Sequence, residues 1–158
     1  MLVESISSLL FYLVMIGSIG SIILMLFSGS KLATMEQEIG TIKFQVRQLY
    51  SATHDYTGLT ASLAKTAGAI PSSLIRSDGS LKNAWGGDVD VKTGSDPQTF
   101  QIIIKNVPEG EVTKLAMFQG GSWVDVKVNT TSIVGATNQL SAAAGAVTST
   151  NTITFVSN

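Results

Sequence analysis

The chain has 158 residues, 44% of them hydrophobic, and a formal net charge of −1. That charge excludes a nucleic-acid partner held by a broadly basic surface. The absence of cysteine excludes a disulfide framework and any thiolate metal site, and His54 is the only imidazole.

Residues 1–53 contain no proline and read as one long helix with two different halves. From 5 to 30 there is no charged residue, and the run SLLFYLVMIGSIGSIILMLF is apolar on every face. About 20 such residues cross the ~30 Å hydrocarbon core of a bilayer. The four residues before Ser5 carry no Lys or Arg, as a signal peptide or signal anchor would, so a basic leader removed ahead of Met1 is expected. Residues 1–30 are therefore predicted as an apolar helix half, a membrane anchor that also packs against other copies.

Glu4 is the one charge near this start. It reads either as a helix-start carboxylate favoured by the macrodipole or as a register device. In the second reading it meets a cation from another copy, most simply the α-ammonium of a neighbouring Met1, because a carboxylate among apolar helices is tolerated only when paired. Gly17, Ser18, Gly20 and Ser21 sit together in mid-run. They read either as small residues for close helix packing or as a segment able to unwind, since Gly costs up to about 1 kcal/mol in a helix.

Residues 31–55 form the amphipathic half. Leu32, Met35, Ile39, Ile42, Val46 and Leu49 recur at gaps of three and four and make one seam, with Lys31, Glu36, Glu38, Lys43 and Arg47 between them. At 1.5 Å per residue the whole helix would run roughly 75–80 Å, far longer than a head of about 105 residues needs.

Residues 56–158 are expected to form that head. Residues 59–67 suit a short helix capped by Thr60; Pro71, Asp78-Gly79 and Gly86-Gly87 mark turns. Strands are expected at Val89 and Val91, at 100–107 (FQIIIKNV), at 123–128 with Val124, Val126 and Val128 on one face, and at 152–156. Residues 108–118 read as a helix with proline at its start and acids in its first turn. The Ala-rich stretch 132–146 is ambiguous between helix and loop. Together these give an α+β fold with an antiparallel sheet of about four strands over the seam of the long helix.

No motif here carries catalysis. His54 has only the adjacent Asp55 beside it, and the glycine pairs lack phosphate-loop spacing. Asp78, Asp88, Asp90 and Asp96 match no EF-hand and read as turn residues. Asn129-Thr130-Thr131 matches a glycosylation sequon. No cofactor or metal is expected.

Several pieces then resemble the type IV pilins, specifically the type IVb, PilS-like kind. They are LYSATHDYTGLTASLAKTAGAIPSSLI (49–75), GSLKNAWGGDVDV (79–91), NVPEGEVTKL (106–115) and NTITF (151–155), with YTGLT and NAWGG the most specific. The resemblance implies the type IV pilin fold, with the apolar half of the long helix protruding. It implies a leader removed by a prepilin peptidase, a pool of subunits in the bacterial inner membrane, and polymerisation by pilus assembly machinery into an extracellular filament of identical subunits serving conjugation or adhesion. The family's glutamate matches Glu4, one residue earlier than usual. The family also commonly closes its C-terminal region with a disulfide, at positions that here look like Val112 and a residue near Ala144. Packing of Val112, Leu115 and Met117, or contacts between subunits, must offset its loss. The expected role is a major structural subunit. The alternatives are a minor pilin or secretion-system pseudopilin, and, in a different class, a single-pass membrane protein whose outer domain binds a ligand.

Overall fold

The computed structural model describes residues 30–158, and residues from Leu32 to Asn158 form one compact unit. The elements are α1 (Lys31–Leu49), α2 (Ala61–Thr66), a 3-10 turn (Ser72–Leu74), β1 (Val89–Thr93), β2 (Phe100–Val107), α3 (Glu109–Ala116), β3 (Asp125–Val128), β4 (Thr131–Ser132), α4 (Gln139–Gly145) and β5 (Asn151–Ser157). The sheet has five strands in the order β1-β2-β5-β3-β4, every pair antiparallel. The last strand is therefore central, slotted between β2 and β3 after α3, β3, β4 and α4 have intervened.

Alternation along each strand sends one set of side chains inward. Val91 faces Ile102, Ile102 faces Phe155, and Phe155 faces Val126; Val89, Ile104, Ile153 and Val128 form the next row. All eight are buried, together with Met35, Ile39, Ile42 and Val46 of α1. Period-two and period-3.6 patterns thus meet in one core.

The structure refines the expected elements. The sheet, expected at about four strands, has five, because residues 131–132 pair with Val128 and Lys127. Two residues are too short to show alternation. Val124 precedes β3 and stands exposed, so Val126 and Val128 are the inward valines and Trp123 is buried instead. The first helix ends at Leu49 rather than near Thr53, and His54 turns the chain at φ 50° with its N–H donating to the Tyr50 carbonyl. The ambiguous 132–146 stretch divides into β4, a loop and the short helix α4, whose N-cap Asn138 accepts from the Ser141 N–H.

The two sequence pieces that carried the resemblance have structural jobs. In YTGLT, Tyr56 is buried between Tyr50 and Phe100, with ring centroids 5.1 and 4.8 Å away. Gly58 takes φ 82°, and Thr60 caps α2 by accepting from Leu63 N–H at 3.1 Å. In NAWGG, fully buried Asn83 donates to the Lys105 carbonyl at 2.6 Å and accepts from the Trp85 and Gly87 N–H groups. A Cβ at Gly87 would collide with that same Lys105 carbonyl. The loop ahead of β1 is thereby fastened to β2, beside the bulge at Lys105/Val107 where Asn106 takes φ 55°.

Candidate functional site

The first helix, α1, has one side in the core and the other in solvent. On the inner side, Met35, Ile39, Ile42 and Val46 have no exposed surface and Leu32 is partly buried. Leu49, the last of the predicted seam, is 47% exposed, because the helix ends there and Tyr50 packs on the core in its place. Met1, Glu4, Gly17, Ser18, Gly20 and Ser21 lie outside the described residues.

Two charged residues expected between the seam positions are instead buried. Glu38 lies beneath the 3-10 turn: its Oε1 accepts from the Ser73 hydroxyl, and its Oε2 is buried with no hydrogen-bond partner among the described residues. Lys43 crosses to the loop before β3. Its Nζ donates to the Ser122 carbonyl at 2.6 Å and to the Ser122 hydroxyl at 3.0 Å, 4.0 Å from the Trp123 ring centroid. No carboxylate pairs with it among the described residues. Desolvation, followed by the nearby charge of Arg47, holds its pKa below the usual lysine value. Trp123 in turn donates its indole N–H to the Phe118 carbonyl and packs its ring 4.9 Å from Phe155. Lys43 therefore ties the first helix to the segment between α3 and β3, where a cation over an indole face is favourable.

On the outer side a cleft of about 1000 Å³ runs along α1. Gly40, Phe44, Arg47, Gln48 and Ser51 line its helix wall, and residues 119–122 line the other. At 100° per residue this line sits about 150° round the helix from the buried seam. Phe44 is 64% exposed there, and Arg47 makes no ion pair among the described residues. A second, smaller depression shares Arg47 and His54 with it and adds the exposed Val124 and Asp96. Helical periodicity places this second line in the sequence too, but Phe44 is its only large apolar residue and gives it little signal.

The remaining candidates do local work. Asp55, Asp78 and Asp96 each accept from the N–H two residues on, and Asp55 and Asp78 also from the hydroxyls of Thr57 and Ser80. Asp88 pairs with Lys82 and Asp90 accepts from Val91 N–H, and no metal-binding cluster forms among the described residues. The Asn129 amide of the sequon is engaged inside the fold. Its Nδ2 donates to the Ala146 carbonyl at 2.8 Å and to Asn151 Oδ1 at 3.2 Å, and its Oδ1 accepts from Thr152 N–H at 2.9 Å. Val112 and Leu115 of α3 and Ala143 of α4 are fully buried, so apolar packing joins these two helices to the core. Among the described residues no helix is long and apolar enough to cross a membrane.

The family model for the PilS N-terminal family matches residues 30–158, the whole of the described head and α1. The chain belongs to the PilS N-terminal family. No curated protein gives a significant sequence match. Among solved structures, the PilS-family head is similar to the type IVb pilin from Salmonella typhi, at 20% identity and a TM-score of 0.59, covering 80% of this chain and 99% of that one. It is also similar to TcpA, a type IV pilin from Vibrio cholerae El Tor biotype, at 13% identity and a TM-score of 0.58, covering 81% and 99%. At these identities the likeness is one of fold: an amphipathic helix on an antiparallel sheet, as in the type IVb pilins. By family this is a PilS-family chain, and its fold is that of the type IV pilins.

Proposed function

We propose that the chain is the major structural subunit of a type IVb pilus, polymerising through its apolar N-terminal segment into an extracellular filament for conjugation or adhesion. The observation that carries this reading is the uncharged run over residues 5–30, joined directly to a PilS-family head. Such a run must be buried in lipid or in other copies, and a filament offers the second. Lipid is as apolar as a helix bundle, so packing and a paired Glu4 supply the net gain. The subunit waits in the inner membrane, loses a leader to a prepilin peptidase, and is extruded by the pilus assembly machinery. The role is structural, not enzymatic, and involves no direct binding of nucleic acid.

Electron microscopy of surface filaments purified from cells expressing this chain as their sole pilin tests the reading. Long filaments made of this chain alone are expected. A few copies within filaments of another subunit would indicate a minor pilin or pseudopilin, and a chain that stays monomeric in detergent under every condition would refute polymerisation.

A further inference from the structure

The outer cleft along α1 carries positive charge that the fold does not neutralise. Arg47 is exposed and makes no ion pair among the described residues, and no Asp or Glu lines the cleft. Its guanidinium is felt by two neighbours. Desolvation leads the lowering of the Lys43 pKa and the Arg47 charge adds to it; burial raises the Tyr56 pKa and the Arg47 charge opposes that rise. Lys43 and Tyr56 line the same cleft, and His54 adds an imidazole. An anion entering here therefore meets two cations and no opposing side-chain carboxylate.

The remaining groups narrow the class of anion. Phe44 leaves 64% of its surface exposed. It stands three residues before Arg47, a spacing that sets the two Cβ atoms about 5–6 Å apart on one helix face. Side-chain amides stand on both walls, Gln48 on the helix and Gln119 opposite, with the Ser51 hydroxyl beside them. An alkyl anion would find one large exposed apolar group, and a nucleic acid is disfavoured by the net charge of −1. A pyranose ring bearing a carboxylate uses every group. Its C–H face packs on the phenyl ring, its carboxylate takes two parallel hydrogen bonds from the guanidinium, and its hydroxyls pair with the amides. The cleft, at about 1000 Å³, has the volume of a large small-molecule site.

We propose that this cleft binds acidic saccharides, with Arg47 holding the carboxylate, Phe44 the ring face, and Gln48 and Gln119 the hydroxyls. Every one of these residues belongs to the compact unit from Leu32 to Asn158, so the site is complete in one subunit and does not depend on filament formation.

Isothermal titration of the detergent-solubilised full chain tests it, using sialyllactose and a galacturonate trisaccharide as ligands and lactose and acetate as controls. Binding of at least one acidic saccharide is expected, with both controls about tenfold weaker or more. No binding of either acidic saccharide up to about 10 mM, or equal binding of lactose or acetate, overturns the site and leaves the filament reading untouched. Arg47→Gln should weaken the acidic saccharide about tenfold or more, and Phe44→Ala several-fold. Both side chains are exposed, so the head should keep its circular dichroism spectrum. Lys92→Gln removes an exposed cation on β1 that does not line the cleft and should leave binding unchanged. Undiminished binding by the Arg47 and Phe44 variants, or an equal loss in the Lys92 variant, overturns the assignment.

Discussion

Replacing Asn129 with alanine removes a clasp that closes the C-terminal half of the head. Its amide nitrogen holds Ala146 at the end of α4 and Asn151 at the start of β5, and its oxygen holds the Thr152 N–H. Asn151 is fully buried and also accepts from Thr148 N–H, so the network fixes the 146–151 loop against the central strand. Three hydrogen bonds at about 1 kcal/mol net each give roughly 3 kcal/mol. Alanine at φ 55° adds about 1 kcal/mol of backbone strain that asparagine tolerates better. The total, about 4 kcal/mol, equals the upper end of what a disulfide typically contributes. For a chain of this size it corresponds to a fall of roughly 10 °C in Tm. Thermal and urea unfolding of the detergent-solubilised chain, followed by near-ultraviolet circular dichroism, measures it. Asn129→Gly separates the two terms, since glycine accepts the positive φ but makes none of the bonds. A glycine variant with unchanged stability would refute the clasp and leave only the backbone requirement.

Glu4→Ala should abolish or greatly slow filament formation while the head keeps its circular dichroism spectrum; abundant normal pili from that variant would remove Glu4 from the assembly mechanism. Hydrogen bonds from the Thr57 hydroxyl, the Ser80 hydroxyl and the Lys82 ammonium lead the causes holding Asp55, Asp78 and Asp88 below the ordinary value of 3.8. Folded values below unfolded ones mean a stabilisation complete above about pH 4 and lost as pH falls through the folded values. Asp88→Asn should therefore flatten the acid limb of a stability–pH curve, and an unchanged limb would contradict the Lys82 contribution. The assembled filament should melt above the free subunit, because intersubunit burial adds to a head that lacks a disulfide; equal melting temperatures in differential scanning calorimetry would argue against that.

How much could be read without coordinates differs by element. The buried row of α1 was legible because 3.6-residue periodicity over 19 residues leaves little freedom. Strands β1, β2 and β5 were legible from β-branched alternation. Residues 131–132 were not, since two residues carry no period and pair only because β3 passes beside them. Glu38 and Lys43 looked like solvent-facing charges, and no local rule places a carboxylate under Ser73 or an ammonium over Trp123. Those contacts join residues 35 and 80 positions apart (73 − 38 and 123 − 43).

Composition and pattern alone determined that this is an apolar run followed by an α+β head, because hydropathy and periodicity are properties of neighbours along the chain. Tertiary structure decided that the last strand lies at the centre of the sheet, that asparagine networks do fastening work in a cysteine-free head, and that Gly40, Phe44 and Arg47 share one open cleft. These depend on which distant segments meet, and a sequence read along its length does not contain that information.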